Sequence, residues 1–171
     1  MKGLKKLIFL SLLVSVGLAL SIIESMMPVP FVAPGAKLGL SNVVILITLV
    51  IFGFKEALTV GCLKSIIFTL ATGSISSLFY SLSGSLLSCI IMYVIYNKFS
   101  KVFSLIGVSI FGAVAHNFAQ VLVASLMMNN FKIFSYFPIL LLTSLFTGYF
   151  VGLTSIFITK NLKKTFNTLF L

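Results

Sequence analysis

The chain has 171 residues, of which 60% are hydrophobic and 8% charged, and its formal net charge is +10. A soluble domain is about a quarter charged, so this composition excludes one and points to an integral membrane protein. The cations are all lysine, only Glu24 and Glu56 oppose them, and there is no Arg, Asp or Trp; clustered carboxylates for a catalytic Mg2+ or a glycosidase pair are therefore missing.

The first predicted element follows Lys2, Lys5 and Lys6 and runs from Leu7 to Met27, long enough for about 30 Å of hydrocarbon. Its basic start resembles a secretory leader, but no clean small-x-small cleavage site follows and five more spans do, so it is expected to stay. Ser11, Ser15 and Ala19 recur every four residues, and Gly17 with Ser21 makes a second small row. Such rows let helices approach closely, either inside the bundle or against a partner subunit. Pro28, Pro30 and Pro34 then forbid helix, and Gly35 and Gly39 bracket Ala36-Lys37-Leu38. This loop is expected outside the membrane, as a lid over a binding site or as a tight connector.

The second predicted span, Leu38 to Phe54, opens with Ser41, a helix-capping residue type, and Asn42. Gly53-Phe54-Lys55-Glu56 reads as a polar turn into a third span, Ala57 to Ala71, although both are short and one bent hairpin is the alternative. Lys64 falls near the middle of the third span, where a lysine either snorkels to an interface or faces the bundle interior. Cys62 and Cys89 lack metal or disulfide spacing and read as small packing residues.

Three further spans follow, at Leu78 to Tyr96, Val102 to Met128 and Phe137 to Thr159. The fifth carries His116, Asn117 and Gln120, and the first and last of these share a helix face. The cluster is either a ligand contact or an interhelical hydrogen-bond clamp contributing about 1 kcal/mol per bond. Six spans with a cytoplasmic start place Lys2, Lys5, Lys6, Lys55, Lys98, Lys101, Lys160, Lys163 and Lys164 inside and only Lys37 and Lys132 outside. That asymmetry satisfies the positive-inside rule with both termini cytoplasmic. It also accounts for the basic charge through anionic lipid, without a nucleic-acid partner. No nucleophile-base-acid triad, phosphate loop, HExxH or dinucleotide fingerprint occurs, so catalytic residues, metal and cofactor are all expected to be absent.

The runs Pro34-Gly35-Ala36-Lys37-Leu38-Gly39-Leu40-Ser41-Asn42, Gly53-Phe54-Lys55-Glu56-Ala57, Phe79-Tyr80-Ser81-Leu82-Ser83-Gly84 and Gly112-Ala113-Val114-Ala115-His116-Asn117 resemble the Gx transporter family, also labelled heptaprenyl diphosphate synthase component I. The likeness extends to substrate-binding S components of energy-coupling factor transporters, six-helix membrane bundles with cytoplasmic termini. It implies a non-catalytic subunit binding a small, vitamin-like solute, energised by a transmembrane coupling subunit and ATPase subunits. Pro34, Gly35 and Gly39 would form the lid, while Lys37, Asn42, Lys64, His116, Asn117 and Gln120 would contact the solute. Ser11, Ser15 and Ala19 would be the docking stripe. With Lys37, Lys64 and a protonated His116 as anchors, an anionic solute is expected. The alternative is a membrane component of isoprenoid or quinone metabolism, or of a flavin-linked redox assembly; a purely structural scaffold is a third.

Overall fold

The computed structural model describes residues 3–27 and 39–170, with side chains up to Lys164. Six α-helices are present among the described residues: α1 (Gly3–Met26), α2 (Asn42–Phe52), α3 (Phe54–Thr72), α4 (Ile75–Lys98), α5 (Leu105–Met127) and α6 (Phe137–Phe170). A short 3-10 helix, Phe131–Tyr136, joins α5 to α6. Helices α1, α4 and α5, and the segment containing α6, are long and apolar enough to cross a bilayer. The chain is a membrane protein.

The second predicted span is corrected most. It is an eleven-residue helix, α2, about 16 Å long, and so reaches only half-way through a hydrocarbon core of about 30 Å. The expected polar turn shrinks to the single residue Gly53, whose φ of 98° reverses the chain where a side chain would be strained. Its N–H donates to the carbonyls of Thr48 and Leu49, and its own carbonyl accepts from Ala57. Lys55 and Glu56 therefore belong to the first turn of α3. The last helix also continues past Thr159 to Phe170.

Successive helices alternate in direction. Ile45 of α2 lies over Gly61 of α3, Ser65 of α3 bonds Ser81 of α4 at 2.9 Å, and Gly84 of α4 faces His116 of α5. Asn117 of α5 bonds Ser144 of α6 at 2.8 Å. Chain entry at α1 and exit at α6 thus lie at one end, together with the α2–α3 and α4–α5 turns. Of the lysines expected on one side of a membrane, Lys5, Lys6, Lys55, Lys98, Lys101, Lys160, Lys163 and Lys164 gather there, Lys2 lies outside the described residues, and Lys132 lies at the other end.

Short α2 is the axis of this arrangement. It touches all five other helices, and Asn42 through Leu49 are buried on every side, as expected of a helix that is apolar all round. Helix α1, by contrast, packs only on α2 and α3 among the described residues.

Polarity is inverted relative to a soluble domain. Exposed positions include Leu4, Leu12, Leu70, Leu142, Phe146 and Phe157, while Ser65, Ser88, Thr48, Asn117 and Lys64 are buried. Lipid removes the hydrophobic drive between helices, so close packing of small residues and internal hydrogen bonds must hold them. Gly148 and Gly152 illustrate this: a Cβ at either would stand 2.6 Å from the Cα of Ile110 or Ile106 on α5.

Backbone cannot yield as a flexible side chain can. Gly148→Ala is therefore expected to destabilise the bundle by about 1–3 kcal/mol, read as a lowered melting temperature in detergent, whereas Gly3→Ala, with open space around it, should leave melting unchanged.

Candidate functional site

The start of α2 is buried inside the bundle, beside Lys64 of α3 and His116 of α5, and a helix end there leaves backbone N–H groups that need partners. Glu24 of α1, 3% exposed, supplies two: its Oε1 accepts from the Leu40 N–H at 2.8 Å and its Oε2 from the Ser41 N–H at 3.4 Å. Gly39 and Leu40 carbonyls accept from the N–H groups of Asn42 and Val43. A carboxylate is favoured at this pole of the helix dipole.

Lys64 of α3, 1% exposed, approaches the same turn. Its Nζ donates to Ser41 Oγ at 2.9 Å, and Glu24 is the charge that attracts it. Ser41 thereby links the two ions, giving its N–H to the anion and its hydroxyl oxygen to the cation. It makes no side-chain cap of its own helix, contrary to the sequence expectation, because Lys64 holds the hydroxyl. The lysine stem crosses α1 at Gly17, where an added Cβ would lie 3.1 Å from Lys64 Cδ and 2.7 Å from Val44 Cγ2.

Beside this triad lies a second group. Gln120 Nε2 and His116 Nε2 are 2.9 Å apart, and the imidazole fills the space left by two glycines. A Cβ on Gly84 would meet its Cε1 and Nδ1 at 2.6 Å, and one on Gly39 would meet its Cδ2 at 3.2 Å and Asn42 Nδ2 at 3.0 Å. Gly39 also has φ 88°, so both conformation and space demand glycine. Asn42, 3% exposed, has no hydrogen-bond partner for Nδ2 or Oδ1 among the described residues.

Among the sequence-predicted residues, the structure thus brings Gly39, Asn42, Lys64, His116 and Gln120 to one end of α2. Asn117 turns instead to α6, donating to Leu140 O at 3.3 Å and Ser144 Oγ at 2.8 Å. Ser11, Ser15 and Ala19 are exposed on α1, whereas the Gly17–Ser21 row faces the core. Pro34, Gly35 and Lys37 lie outside the described residues.

Sequence reading missed Glu24 as a partner. The available signal was a carboxylate inside a predicted span, which requires an internal partner. The other carboxylate, Glu56, pairs with Lys6 at the basic end of the bundle. The Lys6 hydrogen bond holds its carboxyl below the ordinary range, so this tie is complete above that range and is lost as pH falls through the lowered value. Exposure keeps its contribution small. No group of three metal-ligating side chains occurs among the described residues.

The family model described as heptaprenyl diphosphate synthase component I matches residues 13–158. The chain belongs to this family. The matched stretch takes in every residue of the α2 cluster, so the heptaprenyl diphosphate synthase component I family is defined over the whole candidate site. No curated protein and no solved structure matches the chain.

The Glu24–Ser41–Lys64 link makes a sharp energetic prediction. Glu24→Gln or Lys64→Met alone leaves one buried charge uncompensated and should cost about 3–5 kcal/mol, whereas the double variant should recover most of that loss, as measured by thermal melting of the detergent-solubilised protein.

Proposed function

We propose that this chain is the solute-binding membrane subunit of an importer. In this reading it is multi-pass in the cytoplasmic membrane, with both termini inside as the lysine distribution favours. It performs no chemistry itself, and a transmembrane coupling subunit with ATPase subunits supplies the energy. The observation that carries the reading is the short helix α2, whose buried N-terminus meets polar side chains from α1, α3 and α5 inside the bundle. Interrupted helices that end inside the bilayer are how membrane transporters present backbone dipoles and polar groups to a solute. The exposed Ser11, Ser15 and Ala19 stripe supports docking of another helix on the outer face of α1.

Glu24 changes the solute expected. It offsets the charge of Lys64, so the site has no net positive charge with neutral His116, and a neutral polar solute fits better than an anion. The family description favours a second reading, in which the chain is the membrane component of a heptaprenyl diphosphate synthase and presents a prenyl substrate to a separate catalytic subunit.

Purification of the tagged protein from its native membrane in mild detergent, with mass spectrometry of copurifying proteins and small molecules, separates the two. A polar solute with coupling and ATPase subunits is the expected result. Prenyl diphosphates together with a prenyltransferase polypeptide would replace it with the second reading.

A further inference from the structure

Buried side-chain amides are hydrogen-bonded almost without exception, because a donor or acceptor left without a partner costs about 1–3 kcal/mol. Asn42 breaks this rule at both of its polar atoms. Nδ2 and Oδ1 have no partner among the described residues, although the residue is 3% exposed and begins the central helix. Its surroundings are built: Gly39 at φ 88° keeps a side chain away from Nδ2, and the His116 ring, clasped between Gly39 and Gly84, forms a fixed wall beside it. A side chain with both functions open matches a partner with both functions adjacent.

We propose that Asn42 reads a cyclic amide edge, a ring C=O next to an N–H as in a lactam or ureide, on a small neutral solute. The Asn42 Nδ2 donates to the ring carbonyl, and its Oδ1 accepts from the ring N–H. Lys64 extends the recognition. An ammonium has three donors, and among the described residues Lys64 makes one hydrogen bond, to the neighbouring Ser41, so it can serve a second carbonyl flanking the same N–H. The balance of Lys64 by Glu24 keeps the site neutral. This inference rests on the solute-binding reading and names the chemical class of the solute.

The test uses uracil as a ureide probe and 1,3-dimethyluracil, which has the same ring and carbonyls but no N–H, in calorimetric titrations of the purified full-length protein. A site built on a hydrogen-bond pair rejects the analogue that cannot complete it, so uracil should bind at least about tenfold more tightly. Asn42→Leu should remove that preference while keeping the wild-type melting temperature. Equal affinity for the two probes, an Asn42→Leu variant that retains the preference, or failure of both probes to bind would each overturn the proposal. In the last case Asn42 is satisfied by ordered water only. The probe comparison on the wild-type protein decides the matter even where the variant does not fold. Mass spectrometry of the solute released from the native protein separates the two levels: a solute without a cyclic amide edge sinks the inference and leaves the solute-binding subunit standing, whereas no released solute and no probe binding sinks both.

Discussion

Every other contact at the centre of this bundle depends on how the N-terminus of α2 is anchored. A helix that begins inside the bundle has backbone donors that need internal acceptors, and the chain answers with Glu24 from α1, steadied by Lys64 from α3 through Ser41. The three groups satisfy one another's demands. Without the carboxylate the Leu40 and Ser41 N–H groups lose their acceptor, and without the lysine the carboxylate is an isolated ion. Because the anchor draws on α1 and α3 together, it also fixes the depth at which α2 starts, and hence the position of Asn42 relative to His116.

The same membrane constraint explains the glycines. Where lipid surrounds the helices, contact must come from close approach, and five glycines each yield the space of a side chain to a neighbour. Gly17 admits the Lys64 stem, Gly84 the His116 ring and Gly112 the Met92 side chain, while Gly148 and Gly152 admit the backbone of α5. Two of these slots hold polar residues of the candidate site. Packing and recognition are thus one arrangement in this protein.

Much of this was legible in the sequence. Hydrophobic runs marked the four helices that are long and apolar enough to cross a bilayer, because continuous apolar stretches in so greasy a chain have few other uses. The polar residues inside them pointed to the interior, and Lys64, His116 and Gln120 are there. What could not be read was pairing. Lys64 and Glu24 are far apart in sequence, and only the parallel course of α1 and α3 brings them to one turn. Asn117 and His116 are neighbours in sequence yet face different helices, since successive residues point about 100° apart. The length of α2 was overestimated at both ends: Leu38 to Ser41 were counted into the span although the helix begins at Asn42, and apolar character continued across Gly53, where the single-residue reversal depends on a dihedral angle that composition does not reveal.

The seating of α1 bears on how the protein is made. Among the described residues it packs on α2 and α3, and its buried carboxylate is balanced by a lysine synthesised forty residues later. At about 5–20 residues per second, Glu24 emerges some 2–8 seconds before Lys64. For that interval the first helix is without the cation that balances it, and the hairpin about Gly53 is what brings the lysine to it.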